Sequence, residues 1–408
     1  MRILELTEPF QSEIQPTTGL FIKEHAEHIS KICEILLCVF IRIIPPKRIL
    51  MNFKEIKKWS LYILSRIRER RIKENDYEFI FIPFISLPRP IFEFINIRIM
   101  KLFYSNAIYK IAIQFRPQVI VIHWVSPLSL LAINIGDLIG IPVVINVHED
   151  PDNIKLSFPH LHQIWLKALK LADAIVVHSE VNKNKLVKLG INSEKIFKVY
   201  LGINEIFLNT NNEQVKDEKD IFVILAVSHL SDPCKRIDHL LRSFPEIKKV
   251  NPKTKLVVVG NGRLKKSLEE LSFDLGIQKE VIFKGALAPM QVKNEMVNAD
   301  LFVLPSIRES FGLVFIEAIA SGLPVIGYKE AGAIPELEKL GIPIVKLDEV
   351  TPKSISNAVI RAMINYEEIN RVIVKNQSKI ANLFSWRNHA LSYIEVLKKV
   401  CKQKGIIC

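Results

Sequence analysis

The chain has 408 residues, more than one core comfortably holds and enough for two α/β domains of about 200 residues each. Hydrophobic residues make up 49% and only 15 residues are Gly, which excludes a disordered or fibrous chain, and no run reaches the ~18 to 20 apolar residues that span a bilayer. The net charge of +13 is uneven: residues 42–75 hold eleven Lys or Arg against three Glu, a patch that nucleic acid, anionic lipid and phosphorylated substrates all favour.

In chain order, short apolar runs alternate with helical patterns, the signature of βαβ units and parallel sheets. The N-terminus starts as a strand at residues 2–6, and Glu5 and Glu8 leave it without a signal-like apolar core, so a cytosolic location is expected. Further strands are expected at 36–41, 78–82, 119–123, 143–147, 174–177 and 196–199, with helices such as 128–139 and 163–171 between them. The stretch KKWSLYILSRIRERRIKE (57–74) interleaves Trp59, Leu61, Tyr62, Ile63 and Leu64 with positive charge. It suits an amphipathic helix lying on a membrane surface, or the solvated face of an ordinary helix. Near residue 208 the pattern lapses into NTNNEQVKDEKD, a polar linker. Strands resume at 221–227, 256–260, 281–285, 300–305 and 324–328, and beyond about 350 only helical patterns remain. The expected organisation is a domain at 1–207, a linker at 208–219, a domain at 220–385 and a closing helix at 386–408 that returns to the first domain. Ligands sit beyond the carboxyl ends of the strands in open α/β sheets, so two such sheets facing each other make a cleft.

The most informative stretch is PSIRESFGLVFIEAIASGLPVI (305–326). A strand ends at Pro305, a loop carries Arg308, Glu309 and Ser310, and a helix begins near Phe311 or Gly312. The free N–H groups and partial positive charge of a helix start hold a diphosphate without any Lys or Arg. Gly312 lets backbone approach the ligand closely. Glu317, on the second turn, would repel a phosphate it touched and fits instead as an acceptor for ribose hydroxyls. Glu309 fits as an acceptor for sugar hydroxyls on the other side of the diphosphate.

With Pro-Ser before it, Phe-Gly within it and Gly-x-Pro-Val after it, this segment resembles the signature of the family 4 retaining glycosyltransferases, whose fold is GT-B. The resemblance implies an α/β chain of two Rossmann-like, doubly wound parallel-sheet domains facing across a cleft, with the C-terminal helix crossing back. It implies that Lys235, in the segment IFVILAVSHLSDPCKRIDHLL, grips the diphosphate. His229 stands where many members carry Arg, and Arg236 is placed to supply the second cation. Gly260 and Gly262 match the next turn and Phe283 the nucleobase side. Ser310, Phe311, Gly312 and Leu313 complete the donor site. In the first half the resemblance implies that Gly19 faces the donor phosphates and that His148 lies beside the donor sugar. Gly332 and Glu336 match a later Gly and Glu of the pattern.

The expected reaction moves a sugar from a nucleoside diphosphate sugar to an acceptor hydroxyl with retention, with Glu309, His148 and Lys235 at the chemistry. No residue stands out as a covalent nucleophile, which favours front-face attack assisted by the leaving diphosphate. The acceptor is expected to be a glycan, a lipid-linked group or a small molecule, with an anionic membrane surface as a further partner and no nucleic acid. The alternatives are a sugar-nucleotide epimerase on the same fold and a non-catalytic membrane-associated scaffold. No metal or other cofactor is expected. Asp150-x-Asp152 has the form of a metal motif from a different fold, but the helix start and Lys235 already supply positive charge. His25 and His28 read as surface or packing residues, and His123 as a strand-end His more often structural than functional. Five cysteines, odd in number and without zinc spacing, read as free thiols.

Overall fold

The computed structural model describes residues 1–8, 19–44, 70–74, 77–87, 93–152, 161–208 and 221–407, together with 54, 57, 58 and 61. The linker expected at 208–219 lies outside these residues apart from Leu208, as does most of the basic stretch 45–69. Contacts divide the chain into two compact units. Unit 1 holds Met1–Val177, Lys183–Val199 and the residues from His389 onward; unit 2 holds His178–Asn182 and Tyr200–Asn388.

Unit 1 is built on eight strands: β1 (Arg2–Thr7), β2 (Glu34–Ile43), β3 (Arg70–Glu74), β4 (Tyr77–Ile85), β5 (Val119–His123), β6 (Val143–Asn146), β7 (Ala174–Val177) and β8 (Ile196–Lys198). They run in the order β3-β4-β2-β1-β5-β6-β7-β8, and every pairing is parallel except β3 with β4. The inner strands VIVIH, VVIN and AIVV are buried throughout, as expected for a sheet covered on both faces. Alternation along β1 sends Leu4 and Leu6 into one core, with Leu128 and Trp165, and Ile3 into the other. That second core is roofed by helix α1 (Leu20–Ser30) and by the C-terminal helix from Trp386 to Gln403. Glu5, two residues after Ile3, belongs to the same face.

The amphipathic helix expected across 57–74 is corrected at its C-terminal end: Arg70–Glu74 is an antiparallel edge strand. Arg71 pairs with Glu78 at 2.9 Å across the ladder, and cross-strand pairing with β4 decides the conformation where the local charge pattern did not. Helix α2 (Glu93–Phe115) carries an exposed apolar stripe of Ile95, Leu102, Phe103 and Ile113 among the exposed cations Arg98, Lys101 and Lys110. Helix α3 (Pro127–Ile139) follows β5. It opens with Ser126 as N-cap, Pro127 at its first turn and Ser129 returning a hydrogen bond, and ends at Gly140 with φ 75°, so caps set both of its ends.

Unit 2 holds six parallel strands: β9 (Phe222–Val227), β10 (Thr254–Val259), β11 (Val281–Gly285), β12 (Leu301–Leu304), β13 (Val325–Tyr328) and β14 (Val345–Leu347). Their order is β11-β10-β9-β12-β13-β14, so the winding reverses between β9 and β12. In unit 1 it reverses between β1 and β5. Ligand crevices of doubly wound sheets lie at such switch points. Among the described residues no helix is long and apolar enough to cross a membrane.

Candidate active site

In unit 2 the loops leaving β9 and β12 meet at the switch point. The Asp232 carboxylate accepts from Cys234 N at 2.8 Å and caps a 3₁₀ turn over Pro233–Lys235. Arg236, at φ 53°, then starts helix α4 (Ile237–Val250). The Cys234 carbonyl accepts from Ile307 N at 2.9 Å, joining the two loops. This places Lys235 Nζ 2.5 Å from Glu309 Oε1, with both side chains largely buried. A cavity of about 160 Å³ lies beside the turn, lined by His229, Asp232, Lys235, Arg236, Leu264 and Ser267 among others. Arg236 Nε is buried there with no hydrogen-bond partner among the described residues, an orphaned donor of the kind a bound anion satisfies. His229 itself is exposed.

The loop after β12 ends at Gly312, in the left-handed region at φ 79°, where an added Cβ would stand 2.8 Å from the Phe315 ring. Helix α5 (Leu313–Ala320) starts there. Phe311 is buried against Tyr200 and Phe384 at ring distances of 5.9 and 5.8 Å, and its carbonyl accepts from Ala333 N. Gly332 has no room for a side chain: a Cβ would lie 2.4 Å from the Phe311 carbonyl oxygen. Glu336, also buried, accepts from Tyr200 Oη and Glu180 N, each at 2.6 Å. Ser310 O accepts from Ser179 Oγ at 2.8 Å. The residues from Ser310 to Leu313 are thus held from behind, and Gly332 and Glu336 act as braces.

Glu317 extends from α5 with no hydrogen-bond partner among the described residues, and burial pushes its pKa up to about 7. A half-buried carboxyl with no donor on it is costly to ionise, and here it lies one turn past a helix start. Gly260 and Gly262 serve the protein's own packing first: Cβ atoms there would fall 1.8 Å from Ser228 O and 2.4 Å from the Leu230 carbonyl carbon. Phe283 is half-buried on β11, paired opposite Val258.

In unit 1, Gly19 is the N-cap of α1 at φ 72°. His148, just past β6, is half-buried and packed against Phe21 and Trp124 at 4.8 and 4.7 Å between ring centres. Trp124 adopts φ 67°, a left-handed conformation that a bulky residue holds only when its surroundings impose it. His148 Nε2 is 3.0 Å from His123 Nδ1, and His123 Nε2 is 3.2 Å from Glu5 Oε2. The other oxygen of Glu5 is 3.1 Å from His25 Nε2, and His25 Nδ1 is 2.7 Å from His389 Nε2. Burial opposes a charge on Glu5, but the His25 charge and hydrogen bonds from His123 and His25 outweigh it and hold the carboxyl well below the usual range. For His123 burial dominates and lowers the pKa despite Glu5.

Sequence reasoning missed this network. His25 is not at the surface: it is buried, packed against His123, His389 and Tyr393, and hydrogen-bonded as well. The available signal was Glu5 itself, a lone acid inside a buried apolar strand. Glu5, His25 and His123 stand close enough to share a cation, and each imidazole already has the carboxylate as partner. Asp150-x-Asp152 is taken by a protein cation: Lys185 Nζ lies 2.7 Å from Asp150 and 2.8 Å from Asp152. Cys33, Cys38, Cys234 and Cys401 are free thiols.

Residues 209–379 match the family model for glycosyl transferases group 1, and residues 57–205 match the model for glycosyltransferase family 4. An uncharacterized glycosyltransferase of Methanocaldococcus jannaschii is 30% identical over 240 residues, 59% of this chain and 60% of its own length. The alpha-monoglucosyldiacylglycerol synthase of Streptococcus pneumoniae is 27% identical over 66% of this chain and 64% of its length. The N-acetyl-alpha-D-glucosaminyl L-malate synthase of Bacillus anthracis is 29% identical over 54% of this chain and 58% of its length. The matched stretch therefore spans under two thirds of each of these relatives. Among solved structures, Anabaena HepE in complex with UDP superposes with a TM-score of 0.70 at 17% identity, covering 98% of this chain and all of that one. Sucrose-phosphate synthase from Thermosynechococcus elongatus gives 0.73 at 16% identity, covering 98% and 99%. Both show the fold.

Proposed function

We propose that this chain, which belongs to the family 4, group 1 glycosyltransferases with the GT-B fold, transfers a sugar from a nucleoside diphosphate sugar to an acceptor hydroxyl with retention of configuration. The observation that carries the donor reading is the triad in unit 2: Lys235 held by Glu309, the helix start at Gly312, and the unpartnered carboxyl of Glu317 on the same helix. A diphosphate over the helix start takes Lys235 from Glu309. That exchange frees Glu309 to accept from sugar hydroxyls, while Glu317 accepts from the ribose. Arg236 and the N–H groups of residues 311–313 offset the charge that grows on the leaving phosphate. The leaving diphosphate takes the acceptor's proton on the face it departs from. No metal is required in this scheme, because lysine, arginine and helix dipole supply the positive charge.

A lipid-linked acceptor is the reading we favour, with the chain peripheral on a cytosolic membrane face. It is supported by the exposed apolar and basic stripe of α2, by the excess of cations in residues 42–75, and by glycolipid synthases among the relatives. An anionic surface attracts such cations by about 1 kcal/mol each.

The test is a thermal-shift panel of UDP, GDP and ADP, with and without EDTA, on the wild type and on Glu317→Ala. One nucleotide stabilising the wild type alone, regardless of EDTA, supports the donor site and names the base. No shift with any of the three removes the donor site and brings the non-catalytic scaffold forward. Transfer is then distinguished from epimerisation by whether release of nucleoside diphosphate accompanies turnover.

A further inference from the structure

We propose that Glu5, His25 and His123 form a structural site for a divalent transition-metal ion, best matched by Zn²⁺, inside unit 1. All three residues belong to that unit, and the site is independent of the donor chemistry read above.

The starting point is a charge that needs a cation. Glu5 lies in a buried strand and is itself 0% exposed. Among the described residues no Lys or Arg reaches it: its carboxylate meets only His25 Nε2 and His123 Nε2. A buried carboxylate persists where positive charge and hydrogen bonds answer it. Here that charge comes either from a proton on an imidazole or from a metal ion set between the three groups.

The donor atoms are placed for the metal. One ligand atom from each side chain, on β1, α1 and β5, lies within 4.8 Å of the other two, and both histidines are as buried as the acid. The imidazoles address different oxygens, His25 at 3.1 Å from Oε1 and His123 at 3.2 Å from Oε2. An ion drawn between them finds four donor atoms on three side chains, two ring nitrogens and both carboxylate oxygens. On a tetrahedral zinc with bonds of about 2.0 Å, neighbouring ligands stand about 3.3 Å apart, close to these separations. Mixed nitrogen and oxygen ligands favour zinc over Mg²⁺ and Ca²⁺, which take oxygen.

The outer ring nitrogens are partnered as well, as in most metal-bound histidines. His25 Nδ1 is 2.7 Å from His389 Nε2. His123 Nδ1 is 3.2 Å from the Asn146 side-chain amide, and Tyr393 Oη is 3.0 Å from the other end of that amide. With metal on Nε2, each ring carries its hydrogen on Nδ1 and donates outward. His389 Nε2 accepts one. The Asn146 amide, turned end for end, accepts the other and donates its NH₂ to Tyr393 Oη. In the exchange both Nε2 hydrogens leave, and one returns to any Nδ1 that lacked it. His389 and Tyr393 sit one turn apart on the C-terminal helix, so the ion fastens α1, β5 and that helix to the central strand β1.

The test uses the full chain, loaded with zinc sulfate, passed over a chelating resin and measured for metal by plasma emission. One zinc per chain is expected to survive the resin at neutral pH. X-ray absorption at the zinc edge of the loaded wild type should show imidazole and a nitrogen-oxygen shell at about 2.0 Å, with no sulfur at about 2.3 Å. Glu5→Gln, His25→Gln and His123→Gln should each reduce the retained zinc to background. A wild type that keeps no zinc, a sulfur shell, or wild-type zinc content in the folded variants each overturns the proposal. If the variants fail to fold, the metal content and absorption spectrum of the wild type decide. None of these readouts involves turnover, so the transferase reading stands or falls separately.

Discussion

Two carboxylates, one buried in unit 1 and one half-buried in unit 2, are treated in opposite ways. Glu5 in β1 takes an imidazole N–H on each oxygen, and its pKa is driven down. Glu317 in α5 has no such partner, and burial drives its pKa up to about 7. A satisfied internal charge braces the structure around it, here joining β1, α1, β5 and the C-terminal helix. An unsatisfied one costs stability and makes physical sense at a place where a ligand supplies the missing donors. The same contrast separates Asp150, already paired with Lys185, from Glu309, whose lysine stands where an anion would compete for it.

The comparison breaks most visibly at Glu5. Replacing it with Leu strands two buried imidazole N–H groups, and the expected loss is about 3 to 5 kcal/mol, read as a lowered denaturation midpoint. An unchanged midpoint would mean that the carboxylate braces nothing. Next in size is ligand linkage at Glu317. A nucleotide at 100 times its Kd should add about 2.7 kcal/mol to the wild type and little to Glu317→Ala, as seen by calorimetry with and without the nucleotide.

The third prediction sharpens the contrast through pH. Because the folded pKa of Glu317 lies above the unfolded value of about 4.5, its protonated form favours the fold. That contribution is full below about 4.5 and is lost as pH rises through about 7. Glu317→Gln should therefore melt above the wild type at pH 8, by about 2 kcal/mol once partial solvent access is allowed for, and the gap should close by pH 4.5. Glu5 and His123 carry the opposite sign, since both pKa values are depressed on folding. Their contribution is present at high pH and is lost on acidification, for His123 from about 6.5 downward. A melting difference at pH 8 of the reverse sign would place a hidden donor on Glu317. The smallest effect lies on the outer face of unit 1. Each of Arg98→Gln, Lys101→Gln and Lys110→Gln should weaken binding to anionic vesicles by about 1 kcal/mol, measured by co-sedimentation. Unchanged binding in the triple variant would take α2 out of the membrane reading.

Much of the site was legible along the chain because it is local. Pro305 to Gly322 is one strand-loop-helix segment, and its proline, glycines and acids state their own backbone geometry. The strands declared themselves as apolar runs, since a parallel sheet buried on both faces needs continuous hydrophobicity. Arg70–Glu74 did not, because its pattern is charged and only β4 makes it a strand. Lys185 was equally invisible as the partner of Asp150 and Asp152, being more than thirty residues away.

The sequence by itself determined two α/β halves, the order of their elements, and the make-up of the loop between β12 and α5, because each of those follows from periodicity or from turn chemistry within a few neighbouring positions. Only the tertiary structure decided that residues 5, 25, 123, 148 and 389 form one hydrogen-bonded chain. Alternation along β1 says that Glu5 shares a face with Ile3. Which imidazoles arrive there depends on β5 pairing beside β1 and on two helices, far apart in sequence, packing over that same face.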